Sequence, residues 1–305
     1  MLVYLYGERV VEVIMPRRKF RLIDIPWYIR KVLGIVSLFR SWPAALVDYL
    51  APARMVSHVP VIYSLRDGTQ LEGVRKSGDF GGICEIYLHK VYNFPAPVQD
   101  ILLSCVNRIL DIGAHKAYFS IYAARLYPNA KIDAYELVLV NVETARRNIA
   151  RNGLDSRITL KEAAVSTTTG RSSIAISAID SGRHSFEQVP GDFSEHIEVD
   201  TIALDDILAE KDCDLMKLDV EGHEMHLLKD SKLWSNVKAI VMEYHELIDG
   251  STTLEVVLPL YRSNGYTYVV DSRFSILYAV KRYLLDECGL GYLDMTKWTG
   301  KHIWK

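Results

Sequence analysis

From about residue 100 the chain alternates short apolar runs with longer amphipathic stretches, and this alternation restricts the fold more than any other feature. NRILDIG, KIDAYE, RITLKEAAV, CDLMKLDV and VKAIVMEYH read as buried strands. Between them YFSIYAARLYP, LVNVETARRNIARNGL, LDDILAE and EMHLLKDSKLW have helical spacing, the second ending at Asn152-Gly153, a good helix stop. Strands joined through helices run parallel, and a parallel sheet is covered on both faces. A last helix, LEVVLPLYRSNGY, precedes YTYVV and FSILYAV, whose Asp271-Ser-Arg connection suits an antiparallel hairpin at one edge. The stretch 166–200, rich in Ser, Thr and Gly, reads as an inserted hairpin.

The region before residue 100 has a different texture. Residues 23–50 suggest two amphipathic helices, too punctuated by charges and Pro43 to span a bilayer. Their Trp27 and Trp42, with the nearby Arg17, Arg18 and Lys19, are compatible with peripheral membrane contact, although packing on the main domain is the plainer reading. VIYSLRDGTQLEGV has a hairpin signal at Asp67-Gly68, and ICEIYLHKVY reads as a short helix. The expected organisation is an N-terminal helical and hairpin extension (1–98), an α/β domain (99–285) and an aromatic, basic tail (286–305) carrying Trp298 and Trp304. A net charge of −2 gives no electrostatic case for nucleic acid. Four cysteines without a C-x-x-C pair exclude a zinc knuckle or thioredoxin-type motif and favour a reducing compartment, so a cytoplasmic location is expected.

In such a sheet ligands bind beyond the carboxyl ends of the strands. Those ends carry Asp111 to Gly113, Glu136, Glu162 to Ala164, Asp219 to Glu224 and Glu243 to His245. Gly113 opens a strand–turn–helix entry that is neither G-x-G-x-x-G nor a P-loop. Glu136 stands where a carboxylate can accept ribose hydroxyls, which fits NAD and S-adenosylmethionine equally.

NRILDIGAHKAYFS, AYE with Asn141, VDTIALDDI and above all DLMKLDVEGHEMHLLKD resemble the FkbM-type S-adenosylmethionine-dependent methyltransferases over roughly residues 60–245. The resemblance implies a Rossmann-like, seven-stranded methyltransferase sheet with helices on both faces. It implies a cofactor held by Asp111, Gly113, Ala114, His115, Glu136, Asn141, Glu162, Ala163, Ala164 and Asp219. The acceptor it implies is a hydroxyl of a sugar, glycan or glycolipid. Asp219 or Glu221 would position the reactants and His245 would serve as base, with Glu224, Glu243 and Ser185 toward the substrate. His223 and His226, with Glu221 and Glu243, could ligate a metal, but a helical histidine is more often an edge residue and no metal is assigned.

The family's Gly-Ala-Asn-x-Gly loop is here Gly113-Ala114-His115-Lys116-Ala117. Ala117 adds a methyl where glycine lets the cofactor approach, at an expected cost of ~1–3 kcal/mol, and Lys116 brings a cation near a sulfonium. The alternative reading is therefore a non-catalytic methyltransferase-fold binding or scaffold protein.

Overall fold

The computed structural model describes residues 3–6, 9–12, 25–51, 59–177, 184–185, 193–247 and 250–290. The tail with Trp298 and Trp304, and the basic cluster at 17–19, lie outside the described residues.

The chain opens with a two-stranded pair, β1 (Val3–Tyr6) and β2 (Arg9–Glu12). Helices α1 (Ile25–Leu38) and α2 (Trp42–Leu50) follow, then the expected hairpin of β3 (Pro60–Ser64) and β4 (Gln70–Val74). The short helix begins earlier than its apolar spacing suggested. It is α3 (Asp79–Ile83), continued by one π-helical turn over Cys84–Leu88. α4 (Ala96–Cys105), with proline in its first turn, leads into the alternating region.

There the elements are β5 (Arg108–Ile112), α5 (Tyr118–Leu126), β6 (Lys131–Glu136), α6 (Leu139–Arg151) and β7 (Ile158–Glu162). β8 (Ala164–Ser166), β9 (Gly170–Ser177), β10 (His184–Ser185) and β11 (Phe193–Ala203) form a second sheet. α7 (Leu204–Glu210), β12 (Leu215–Leu218), α8 (Glu224–Asp230), β13 (Ala239–Glu243), α9 (Thr253–Ser263), β14 (Tyr266–Asp271), β15 (Ile276–Lys281) and α10 (Arg282–Glu287) complete the order.

The main sheet has seven strands in the order β14-β15-β13-β12-β5-β6-β7. β5, β6, β7, β12 and β13 run parallel, and β15 is antiparallel to both of its neighbours. The terminal hairpin therefore lies at one edge, with its second strand inserted inside its first. One expected strand divides. RITLKEAAV leaves the main sheet after Glu162, and β8 pairs in parallel with β11.

Alternate side chains of the main sheet enter two cores. Ile109, Leu215, Ala239, Val241, Tyr278 and Val280 face one, together with α5 and α6. Leu110, Ile112, Met216, Leu218, Ile240 and Met242 face the other, beneath α7, α8 and α9. The N-terminal extension belongs to the first core. Phe39 is fully buried, stacks on Phe80 at 5.7 Å and meets Tyr63 edge-on at 5.8 Å. α1, α2 and the β3–β4 hairpin are thus one packed unit with the sheet.

Phe39→Ala should lower the unfolding free energy by about 3–5 kcal/mol, read from urea denaturation of the full chain. A loss under about 1 kcal/mol would mean that the extension contributes little to the common core.

Candidate active site

Strand order reverses between β5 and β12, so a crevice opens beyond their carboxyl ends. Asp111 and Lys217 are partners in the β12–β5 ladder and lie on the same face as Ile109 and Leu215. Both are buried. The Lys217 ammonium donates to the Gly113 carbonyl at 2.6 Å and lies 3.1 Å from Asp219 Oδ2 and 3.6 Å from Asp111 Oδ1. Burial opposes its charge, but the Asp219 and Asp111 carboxylates outweigh this and raise its pKa. Asp111 also accepts from Ser120 Oγ at 2.6 Å. It does not itself line the crevice, and it helps hold Lys217, which does.

Gly113 has φ +77, and a Cβ there would sit 1.8 Å from the Asp219 carbonyl oxygen. Glycine is required because the β12 turn crosses against it, a constraint internal to the protein. His115 and Ala117 are also left-handed, at φ +50 and +61. Ala117 is fully buried and packs in the first core. It is not among the residues that line the crevice. The cost of the substitution is local backbone strain of roughly 1–2 kcal/mol, rather than obstruction of a ligand. Lys116 is likewise neutralised, donating to both oxygens of Asp79 at 2.7 and 2.6 Å.

The crevice is a cleft of about 1040 Å³. Gly113, Ala114, His115, Glu136, Asn141, Ala163, Ala164 and Asp219 line it, as do Glu221 and Glu243. Glu136 is held in place by the His115 N–H at 2.7 Å on one oxygen, and by the Leu137 and Val138 N–H groups at 3.1 and 2.8 Å on the other. Near β7 and β8 the walls are apolar: Leu137, Val140, Ala163, Ala164, Val165 and Ile174. Near β12 and β13 they are acidic: Asp219, Glu221 and Glu243, with Glu85 from the π-helical turn.

Besides Asp111, the expected residues Glu162, Glu224, Ser185 and His245 are not part of the cleft lining. Glu162 is exposed and pairs with Arg146 at 3.3 Å. Glu224 is fully buried at the start of α8 and accepts from the Val220 and Gly222 N–H groups at 3.0 and 3.3 Å, fixing the β12–α8 turn. Ser185 belongs to β10, at the edge of the second sheet. The segment 74–86 supplies a wall that strand-end logic missed, through Lys76, Ser77, Gly78, Asp79, Glu85 and Ile86. Its signal was the acidic residue inside the glycine-rich SGDFGG.

His245 lies between two carboxylates, with Nδ1 3.0 Å from Glu224 and Nε2 3.5 Å from Glu221. Burial alone would lower its pKa. Glu224 first, then Glu221 and Asp219, raise it to about 10. That shift favours the imidazolium at neutral pH, a positioned cation rather than the expected base. Glu243 is pushed the other way, to about 8, by burial and by the nearby Asp219 charge. It is the group poised to exchange a proton near neutrality. Asp219 is held below its usual range against the cost of its burial, chiefly by Lys217 and then by His245.

The N/O constellation differs from the one the sequence suggested. Asp219, Glu221 and His245 bring ligand-type atoms within 4.8 Å of one another. His223 and His226 instead stack together with ring centroids 5.6 Å apart, and burial lowers the pKa of His223 to about 4.

Because the folded pKa of His245 exceeds its unfolded value of 6.5, its ion pairs contribute fully below pH 6.5 and are lost as pH rises through about 10. The stability gap between wild type and His245→Gln should therefore be widest below pH 6.5 and close toward pH 10, as read from denaturation at several pH values.

Comparison with known proteins matches residues 111–268 to the family model described as the methyltransferase FkbM domain. Methyltransferase sdnD of Sordaria araneosa is 27% identical over 172 residues, covering 45% of this chain and 66% of that protein. Methyltransferase 1 of Beauveria bassiana is 26% identical over 211 residues, covering 61% of this chain and 80% of its own. Among solved structures, the methyltransferase FkbM of Methylobacillus flagellatus is 17% identical with a TM-score of 0.41, covering 57% of this chain and 43% of that one.

Proposed function

The chain belongs to the methyltransferase FkbM domain family, and we propose that it transfers a methyl group from S-adenosylmethionine to a hydroxyl of a neutral polyhydroxylated acceptor, a sugar or glycan. The observation that carries this reading is the polarity of the cleft. An apolar end at β7–β8 and an acidic end at β12–β13 meet at the Gly113 turn, with Glu136 between them. A ligand with a nucleoside at one end and cationic sulfonium and ammonium groups at the other fits that gradient. The nearby cations do not oppose it, since Lys116 is paired with Asp79, and Lys217 lies between Asp111 and Asp219.

The residues divide the work. Ala163, Ala164 and Val165 would flank the adenine, Glu136 would accept the ribose hydroxyls, and Asp219 with the Gly113–Ala114 backbone would hold the amino-acid end. The cofactor supplies a methyl bonded to a cationic sulfur, which an in-line oxygen can take. Glu243 accepts the hydroxyl proton as the carbon–oxygen bond forms, and its raised pKa matches that task. Glu221, kept in place by the His245 imidazolium, accepts hydrogen bonds from other acceptor hydroxyls. A cluster of carboxylates favours a polyol and repels an anionic acceptor. The 74–86 segment supplies one wall of the cleft.

Calorimetric titration tests the cofactor assignment. Glu136→Ala should weaken S-adenosylmethionine binding at least about tenfold, since it removes charged hydrogen bonds worth ~1.5–3 kcal/mol. Ala117→Gly should leave the affinity within about threefold, because the residue is buried and does not line the cleft. A large gain in Ala117→Gly would restore the reading of a decayed, non-catalytic loop.

Product formation, followed as S-adenosylhomocysteine release over sugar, amine and carboxylate acceptors, tests the acceptor class. With the accepted sugar, kcat should rise as pH passes through about 8, the pKa of Glu243. Glu243→Gln should flatten that limb and lower kcat by about 100-fold or more. Turnover of amines but not sugars would overturn the acceptor assignment.

A further inference from the structure

We infer that the exposed face of α1 and α2 docks the protein on an anionic lipid surface. On α1, Ile29, Leu33 and Ser37 recur every fourth residue and form one exposed row, while Ile35, and Phe39 just after the helix, are buried in the core. On α2, Pro43, Val47 and Leu50 form a second exposed row, with Trp42 beside it. Leu33 is 60% exposed and Leu50 65%, and with Ile29, Trp42 and Val47 they place several exposed apolar side chains on two consecutive helices.

The exposed charges that the two helices themselves carry are cationic. Between residues 25 and 51 the sole acid is Asp48. It is buried, accepts from the Tyr63 hydroxyl at 2.8 Å and pairs with Arg75 at 3.0 Å. Arg30 and Arg40 are exposed. Ser37, the end of the α1 row, lines a cleft of about 430 Å³ that also holds Arg66, Lys90 and Arg125, with Asp67 as its acid. An aliphatic row leading to a cation-rich cleft matches an acyl region beneath anionic headgroups.

Charge complementarity decides against a second copy of the chain. A two-fold interface would set this cationic face against itself. Docking by this face would also bring lipid close to the proposed active site. α1 packs on the π-helical turn so tightly that a Cβ on Gly34 would lie 3.0 Å from Leu88, and Glu85 and Ile86 of that turn line the main cleft. The inference stands on the surface alone and does not need the methyl-transfer reading.

The test is co-sedimentation of the full chain with vesicles of phosphatidylcholine, with and without phosphatidylglycerol. Wild type should sediment with the anionic vesicles and only weakly with the neutral ones. The double variant Leu33→Glu with Leu50→Glu, and separately Arg30→Glu with Arg40→Glu, should each lose roughly tenfold or more in binding. Leu103→Glu, at an exposed leucine of α4, should bind like wild type. Circular dichroism melting establishes that each variant is folded. The inference is overturned if wild type stays in the supernatant with anionic vesicles, or if the folded Leu33→Glu, Leu50→Glu protein sediments as well as wild type. It is also overturned if that variant dissociates a wild-type dimer that does not bind vesicles.

Discussion

The ammonium of Lys217 lies at the seam where β5 and β12 run side by side, between the carboxylates of Asp111 and Asp219 and against the Gly113 carbonyl. A buried ion costs several kcal/mol unless it is paired and hydrogen-bonded. This one is answered from three directions, by a strand neighbour, by the next turn and by the backbone. The arrangement ties the Gly113 turn to the Asp219 turn. It explains why Gly113 admits no side chain, since the Asp219 carbonyl occupies the space where a Cβ would sit. The two strand ends that form the crevice are thereby fixed relative to each other before any ligand arrives.

From that seam a chain of charges extends outward. Lys217 holds Asp219 ionised, and Asp219 in turn helps raise Glu243 to about 8 and His245 to about 10. Glu224 has no access to the cleft, yet it sets the cleft's chemistry: it pins the β12–α8 turn and holds His245 as a cation. A carboxylate with a raised pKa and one with a lowered pKa occur side by side because Asp219 is the one in close contact with Lys217, at 3.1 Å. Environments that push neighbouring groups apart in this way mark acid–base sites in general.

The first-turn substitutions of the glycine loop take on a different meaning in three dimensions. Residues 115 and 117 keep the left-handed backbone without being asparagine and glycine. Lys116 reaches to Asp79, on the N-terminal extension, so that the loop and the 74–86 wall of the cleft are joined by a buried ion pair. The extension is therefore part of the cleft as well as part of the core. Among the described residues no helix is long and apolar enough to cross a membrane. The apolar side chains of α1 and α2 are divided between the core and an exposed face.

Sequence alone determined the alternation of strands and helices, the two-faced burial of the sheet and the strand ends that carry chemistry, because side-chain periodicity and chain-length limits are local properties. It also located Gly113, Glu136, Asp219 and Glu243, since a crevice in such a sheet must open where the strands end. It did not show that β15 slips between β13 and β14, that β8 leaves the sheet, or that Glu224 is buried while Glu221 lines the cleft. Nor did it reveal Asp79 as the partner of Lys116, 37 residues away. Those outcomes depend on which segments far apart in the chain come within hydrogen-bonding distance. The pKa shifts of His245 and Glu243 follow from the same long-range contacts, so they are a property of the tertiary structure and not of the local sequence.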